Sequence, residues 1–196
     1  MDRREFLEAI AGIGALVPGL ALLPGAYQEA FAQGVHARAK AVATLRTLSP
    51  AQDATVTCIA EILLPETDTL GATGVGVNRF IDLLLSESML DTQRDRFLEG
   101  LAAINARSQS LYGAPLAALH RPQQESVIRA LDMHLPAPNP TAAEAAALAH
   151  APISAEGGFA WLKQLTLFAY FTSDAVARKL INAPIIPGRY DGCVPV

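Results

Sequence analysis

The stretch with the most suggestive spacing for chemistry is glycine-rich and runs from Gly71 to Gly76, GATGVG. Glycines let backbone N–H groups approach a phosphate closely. A dinucleotide-binding fingerprint, however, requires G-x-G-x-x-G after a strand, and a Walker loop requires a lysine that follows it. Here the spacing is G-x-x-G-x-G, the preceding residues are predicted to be helical, and no such lysine follows. We therefore interpret the stretch as a structural or partner-contacting loop rather than as a cofactor cradle.

Side chains that could bind a metal or act in catalysis are scattered along the chain. Glu66 and Asp68 would form a functional carboxylate pair only if the fold supplied a third group, and turn formation is the favoured interpretation. The motifs G-x-S-x-G and C-x-x-C are absent. No histidine lies at helical spacing from a second histidine or from a cysteine; the four are His36, His120, His134 and His150. The sequence therefore predicts no catalytic, cofactor-binding or metal-binding residue in this chain.

The chain contains two cysteines, Cys58 in a predicted helix and Cys193 in a predicted irregular tail. Three states are open: a bond between the two, two reduced thiols with Cys58 buried, or a bond to another chain. The position of Cys193 in the tail makes it the candidate for an interchain disulfide.

The first 32 residues have the three-part pattern of an export signal. A charged start is followed by an apolar middle and by the Ala-x-Ala sequence that ends at Ala32. Residues 1–32 are therefore predicted to be a signal peptide, with Ala30 and Ala32 marking cleavage, and residues 33–196 to be the exported domain. The alternative is an amphipathic N-terminal helix that stays uncleaved.

The first charged residues indicate which export route the signal uses. The sequence R-R-E-F-L resembles the twin-arginine (Tat) core R-R-x-F-L, whose route carries proteins that have already folded. The matching residues are Arg3, Arg4, Phe6 and Leu7. The predicted location is the periplasm. A protein that is exported folded usually holds a cofactor, yet this chain offers no evident site for one.

The composition of the chain is that of one globular domain. Its 196 residues are 51% hydrophobic and 17% charged, which places it far from the disordered class. Without the first 32 residues the chain carries 13 basic and 15 acidic residues. A net negative domain without a basic patch is not expected to bind nucleic acid.

The pattern of apolar residues and helix caps predicts an all-α fold, a single irregular multi-helix domain. After a linker or frayed helix, Ser49 and Gln52 form a capping-box pattern around Pro50. No run of alternating residues is long enough to predict a strand. The first predicted helix begins at Pro50 and ends before Pro65. The others span about 77–86, 92–112 with Asp91 as cap, 122–131, 158–171 and 174–180. Residues 141–150 are predicted to be either a short surface helix or a mobile segment.

The predicted helix from Gly158 to Phe171 is apolar on nearly every side. A helix of this kind is either central in its domain or packed against another protein.

Three stretches together resemble one family. The first is I-L-L-P-E-T-D-T-L-G-A at residues 62–72, which continues through Gly76-Val77 to Phe80-Ile81-Asp82. The second combines residues 165–167 with Y-F-T-S-D at 170–174, and the third is P-G-R-Y-D-G-C at 187–193. Their combination, from about Ser49 to Cys193, is similar to the gluconate 2-dehydrogenase subunit 3 family, although Leu70 stands where that family commonly has proline.

The resemblance implies a non-catalytic small subunit of a periplasmic or membrane-associated sugar or polyol dehydrogenase. In such complexes a large flavoprotein of the glucose-methanol-choline type holds FAD, and a cytochrome c subunit often accepts the electrons. The small subunit binds and stabilises the flavoprotein and carries the Tat signal for both, so that Arg3 and Arg4 would recruit the translocase.

Three regions are the candidates for contact with the flavoprotein: the loop from Thr67 to Gly76, the aromatic helix and the tail. For the two aromatic residues of the helix, ordinary core packing is the alternative. Two rival functions stay open, an enzyme whose site is assembled from scattered residues and a free-standing periplasmic binding or structural module. The candidate contact residues are Thr67, Asp68, Gly71, Trp161, Phe168, Tyr190 and Cys193.

Overall fold

Helices account for all the regular structure in the computed structural model, which describes residues 25–42, 44–135 and 152–177. Within those ranges there are seven α-helices, one 3-10 turn and no strand, so the predicted all-α class is confirmed. The helices are α1 Gly25–Ala41, α2 Pro50–Leu63, α3 Val77–Glu87, α4 Asp91–Tyr112, α5 Arg121–Met133, α6 Ala155–Phe171 and α7 Asp174–Val176, and the 3-10 turn is Leu116–Ala118. The twin-arginine residues, the segment 141–150 and the tail from 187 to 193 lie outside the described residues.

The start of α2 follows the predicted capping box. The backbone N–H of Gln52 donates to Ser49 Oγ at 3.3 Å, and the N–H of Ser49 donates to Gln52 Oε1 at 2.8 Å. Pro50 occupies the first helical position, where no N–H partner is lost. The predicted start of α2 is therefore confirmed.

The predicted cap of α4 was wrong by one residue. Asp91 is the first residue of the helix, and Leu90 holds the cap position in an extended conformation. The N–H of Leu90 donates to Gln93 Oε1 at 3.2 Å, and the carbonyl of Leu90 accepts from the N–H groups of Gln93 and Arg94 at 3.0 and 2.9 Å, so the helical hydrogen bonds begin one residue before the predicted cap. The helix ends at Gly113, whose positive φ of 75° suits a left-handed cap.

Helix α6 begins three residues earlier than the predicted start at Gly158. Ser154 caps it, because Ser154 Oγ accepts from the N–H of Gly157 at 3.1 Å. Since the helix contacts α2, α3, α4 and α5, it is a central element of the described domain, as its apolar surface suggests.

Helices α4 and α6 approach each other closely where two glycines meet. A Cβ added to Gly100 would lie 2.7 Å from Gly158 Cα, and one added to Gly158 would lie 2.6 Å from Gly100 Cα. Two glycines that face each other therefore allow the two backbones to touch. This crossing sets how close the aromatic side of α6 comes to the rest of the core.

The segment before α2 was predicted as a linker or frayed helix from Gln33 to Arg46, but α1 is helical as far as Ala41. The reason is tertiary packing: Ala32, Val35 and Ala39 on one side of the helix are buried. The predicted domain boundary after Ala32 thus falls inside α1. Among the described residues, no helix has the length and apolar character needed to cross a membrane.

Candidate partner-binding loop and aromatic helix

The loop between α2 and α3, residues 64–76, presents most of its first half to solvent. Thr67 and Asp68 are exposed, and the Leu70 side chain is 46% exposed although it is apolar. A single exposed leucine is ordinary on a protein surface, so its exposure makes the loop accessible without by itself marking a contact surface. The structure therefore leaves the predicted contact residues Thr67 and Asp68 accessible.

A single tyrosine on α6 holds the part of this loop around Thr69 and Leu70. The hydroxyl of Tyr170 donates to the carbonyl oxygen of Leu70 at 2.8 Å and lies 3.1 Å from Thr69 Oγ1. The N–H of Thr67 donates to the Thr69 carbonyl at 3.0 Å and closes a turn just before that point. Because Tyr170 is buried, its hydroxyl fastens the exposed part of the loop around Leu70 to the core.

The part of the loop around Ala72 and Thr73 is held at the end of α2. Glu61 Oε1 accepts from the N–H of Thr73 at 2.6 Å, and the N–H of Ala72 donates to the carbonyl of Leu64 at 2.9 Å. Ala72 is fully buried and Val75 nearly so. The loop is therefore fastened at both ends, by α2 and by α6.

Two glycines of the loop have conformational tasks. A Cβ at Gly71 would lie 2.7 Å from the backbone nitrogen of Glu66, so only glycine permits the chain to fold back on itself there. Gly76 has a φ of 76°, a left-handed conformation that favours glycine, immediately before α3. Gly71 is buried, and its position indicates that it shapes the loop from inside rather than presenting a surface.

The backbone donors of the loop are already used within the chain. Of the six N–H groups from Ala72 to Val77, five donate to oxygens of the protein. An open groove of about 450 Å³ lies beside them, and Lys40 and Arg79 line it. Because a phosphate cradle requires several free N–H groups that converge, this loop does not fit the pyrophosphate of a flavin or nicotinamide dinucleotide.

The two aromatic contact candidates on α6 point into the domain. Phe168 is 2% exposed and its ring meets that of Phe80 edge-on, with the centroids 5.9 Å apart. Trp161 is half-buried against Phe97 at 6.0 Å, and its Nε1 has no hydrogen-bond partner within the described part of the chain. The packing of Phe168 favours the core alternative over direct contact with a partner.

One buried histidine was not singled out by the sequence patterns. His36 on α1 packs its ring 4.4 Å from that of Phe80, and its Nε2 lies 3.2 Å from Thr172 Oγ1. Since Thr172 Oγ1 donates its own proton to the carbonyl of Phe168 at 2.6 Å, Nε2 must be the donor to Thr172. Burial, and then the positive charge of Lys40, lower the pKa of His36 from 6.5 to about 4.

A buried carboxylate organises the entry to α2. Asp82 on α3 is 3% exposed and accepts from the backbone N–H groups of Arg46, Thr47 and Leu48 at 2.7, 2.9 and 2.8 Å. It is the last residue of the first stretch that resembles the family. An acidic residue among the apolar positions of a helix was the signal that would have identified it.

Of the remaining residues considered in the sequence, Cys58 lies in the described part of the chain, and the export and tail residues lie outside it. Cys58 is half-buried, forms no disulfide within the described part of the chain, and burial raises the pKa of its thiol. No group of three or more potential metal-binding side chains occurs in the described ranges. The export residues Arg3, Arg4, Phe6 and Leu7 and the tail residues Tyr190 and Cys193 lie outside those ranges and stay predictions.

Comparison with known proteins agrees with the resemblance. The family model described as gluconate 2-dehydrogenase subunit 3 matches residues 50–188, which is more than half of the chain. No curated protein and no solved structure shows significant similarity. The matched span begins at the first residue of α2 and includes the whole loop and α6. The chain therefore belongs to the gluconate 2-dehydrogenase subunit 3 family, and this membership implies a dehydrogenase complex as its partner.

Proposed function

We propose that this chain is the non-catalytic small subunit of a periplasmic, FAD-dependent sugar or polyol dehydrogenase. It binds and stabilises the flavoprotein subunit and supplies the Tat signal for both chains. The observation that carries this proposal is the family match over residues 50–188, which covers nearly all of the domain after α1.

FAD belongs to the large subunit in this proposal. There it would supply the hydride acceptor for oxidation of a CH–OH group, and a cytochrome c subunit is the further partner to which electrons would pass. Five of the six backbone donors from Ala72 to Val77 in this chain are committed to Glu61 and to other loop residues, which supports placing the cofactor in the other subunit.

The loop from residue 64 to 76 is the proposed contact surface. It combines an exposed apolar side chain, Leu70, with the polar residues Thr67 and Asp68 around it. Because Glu61 and Tyr170 already hold the loop in place, binding would order few additional groups, and pre-organisation of this kind favours affinity.

A charge at Leu70 tests the contact. Leu70→Asp is expected to reduce co-purification of the flavin-containing large chain with the tagged small subunit at least about tenfold, since a buried unpaired charge is strongly unfavourable at an interface. Leu90→Asp is the matched control, because Leu90 is 59% exposed but lies between α3 and α4. Equal losses in both variants, or none in Leu70→Asp, would contradict the assignment of the loop.

The absorption spectrum of the purified tagged chain distinguishes three functions: a subunit, a free-standing module and an enzyme. A flavin absorption band with a stoichiometric large chain supports the subunit role. A tagged chain that purifies alone and without colour supports the free-standing module. A flavin bound to the isolated chain, or turnover by it, supports the enzyme alternative.

The export role is tested by the double replacement Arg3→Lys with Arg4→Lys in the native host. We expect dehydrogenase activity to accumulate in the cytoplasm and to be lost from the periplasm, because the flavoprotein would have no export signal of its own. The control is Arg121→Lys with Arg129→Lys, two exposed residues of α5. Periplasmic activity at the normal level would refute the shared signal.

A further inference from the structure

Helix α1 runs without interruption through the predicted cleavage point. It spans Gly25–Ala41, and Ala32 lies near its middle. The buried positions Ala32, Val35, His36 and Ala39 recur at helical spacing and have exposures of 0, 1, 7 and 5%. The residue expected to precede the cut is thus inside the hydrophobic core.

Contacts with distant parts of the chain hold α1 in that position. His36 donates to Thr172, 136 residues away, and packs on Phe80 of α3. On the outer side, Arg38 pairs with Glu87 at 3.3 Å. These contacts require α3 and the end of α6 to be in place, so α1 is docked only when the domain has folded.

A protease binds its substrate as an extended strand over several residues on both sides of the cut. Cleavage after Ala32 would therefore require α1 to unwind and to withdraw Ala32, Val35 and His36 from the core. The rate of such a cut follows the population of the opened form when opening and closing are fast. A chain folded before export presents the closed form to the signal peptidase.

We infer that the folded domain protects the peptide bond after Ala32, and that the exported chain keeps α1 whole with the residues before Gln33 still attached. The biological consequence rests on the proposed export in the folded state. The protection itself does not, because it can be measured on the purified full-length chain.

Digestion of the full-length chain with elastase, which cuts after small residues, tests the protection. Mass spectrometry follows the product that begins at Gln33, in native buffer and in urea, with a short alanine peptide correcting for the activity of the protease. We expect the cut after Ala32 to be at least about tenfold slower in the native chain. A smaller difference would overturn the inference.

Two aspartate variants show whether docking of α1 is the cause. Val35→Asp places a charge on the buried side and should remove most of the protection, whereas Ala37→Asp adds the same charge on the exposed side of the same helix and should leave it unchanged. If Val35→Asp unfolds the domain, His36→Ala is the milder variant, since it deletes only the Thr172 bond and the ring contact. Equal protection in the buried-side and exposed-side variants would overturn the inference.

The intact mass of the chain from the periplasm gives the answer in the cell. A mass that includes residues before Gln33 supports retention, and a chain that begins at Gln33 contradicts it. A chain found only in the cytoplasm would contradict the proposed export instead, and the elastase result would still decide whether the bond is protected.

Discussion

The loop from residue 64 to 76 and helix α6 both carry stretches that resemble the family, yet the domain uses them in opposite ways. The loop is polar and rich in glycine, and it exposes Thr67, Asp68 and Leu70. Helix α6 is aromatic and apolar, and it buries Phe168 and the ring of Tyr170. Of the two stretches, the aromatic one packs in the core, and the polar loop that the core holds in place is the candidate contact surface.

One residue belongs to both regions. Tyr170 buries its ring within α6 and uses its hydroxyl to hold Leu70. The shape of the loop therefore depends on the position of α6, and stability and partner binding are expected to be linked through this side chain.

The largest expected effect lies on the α6 side of the comparison. Phe168→Ala should lower the free energy of unfolding by about 3–5 kcal/mol, because it removes a buried ring and leaves a cavity. Leu70→Ala, on the loop side, should change it by less than about 1 kcal/mol, since that side chain is half-exposed. Denaturant unfolding of both variants measures the difference, and similar losses would remove the distinction between core and surface.

Acid should lower the stability of the domain through His36, which contacts Thr172 at the end of α6. The unfolded chain binds a proton at this residue below about 6.5, but in the folded chain the pKa is about 4. The unfolded state therefore binds more protons in this window, and stability falls as the pH drops through it. The loss at pH 4 should be about 3 kcal/mol, since each pH unit corresponds to about 1.4 kcal/mol.

His36→Gln separates this effect from the titration of carboxylates. Glutamine does not titrate, and it retains a side-chain N–H donor. Unfolding measured from about pH 7 to about pH 4 should show a shallower decline in His36→Gln than in the unmodified chain. Parallel declines would show that His36 does not control the acid response.

The crossing of α4 and α6 should tolerate no side chain. Gly158→Ala places a Cβ 2.6 Å from Gly100 Cα, so the helices must separate, at a cost of about 1–3 kcal/mol. Gly34→Ala in α1 is the control, because no atom lies within 4 Å of the added Cβ. It should stabilise the helix by up to about 1 kcal/mol. A stabilising Gly158→Ala in thermal unfolding would refute the close crossing.

The smallest expected effect separates the two tasks of Tyr170. Tyr170→Phe keeps the buried ring but deletes the hydroxyl that holds Leu70, and should lower the free energy of unfolding by about 1 kcal/mol. Hydrogen exchange should accelerate at Ala72 and Thr73 while the amides of α6 stay protected. Unchanged exchange in the loop would show that the Tyr170 hydroxyl is not needed to hold it.

Helix ends that depend on residues a few positions apart in the sequence were predicted correctly at two places. The capping box at Ser49 and the glycine end of α4 depend on residues a few positions apart, and both are confirmed. The cap of α4 and the start of α6 were wrong by one and three residues, because Gln93 Oε1 accepts from the N–H of Leu90 and Ser154 Oγ accepts from the N–H of Gly157, and both helices therefore begin earlier than predicted.

The candidate site was predicted only in part. The loop and α6 were identified from composition and from the resemblance, but the groups that hold the loop, Glu61 and the hydroxyl of Tyr170, were not. Tyr170 lies 100 residues from Leu70 in the sequence. No spacing rule connects residues at that distance.

The sequence by itself determined the helical class, the family, and most of the helix positions after residue 49, because propensity, capping and periodicity act within a few residues. Only the tertiary structure decided that α1 docks with Ala32 inside, that Gly100 faces Gly158, and that the loop rests on Tyr170. The physical reason is that periodicity states that a face will be buried but not which partner covers it, and the partner is selected when distant helices pack together.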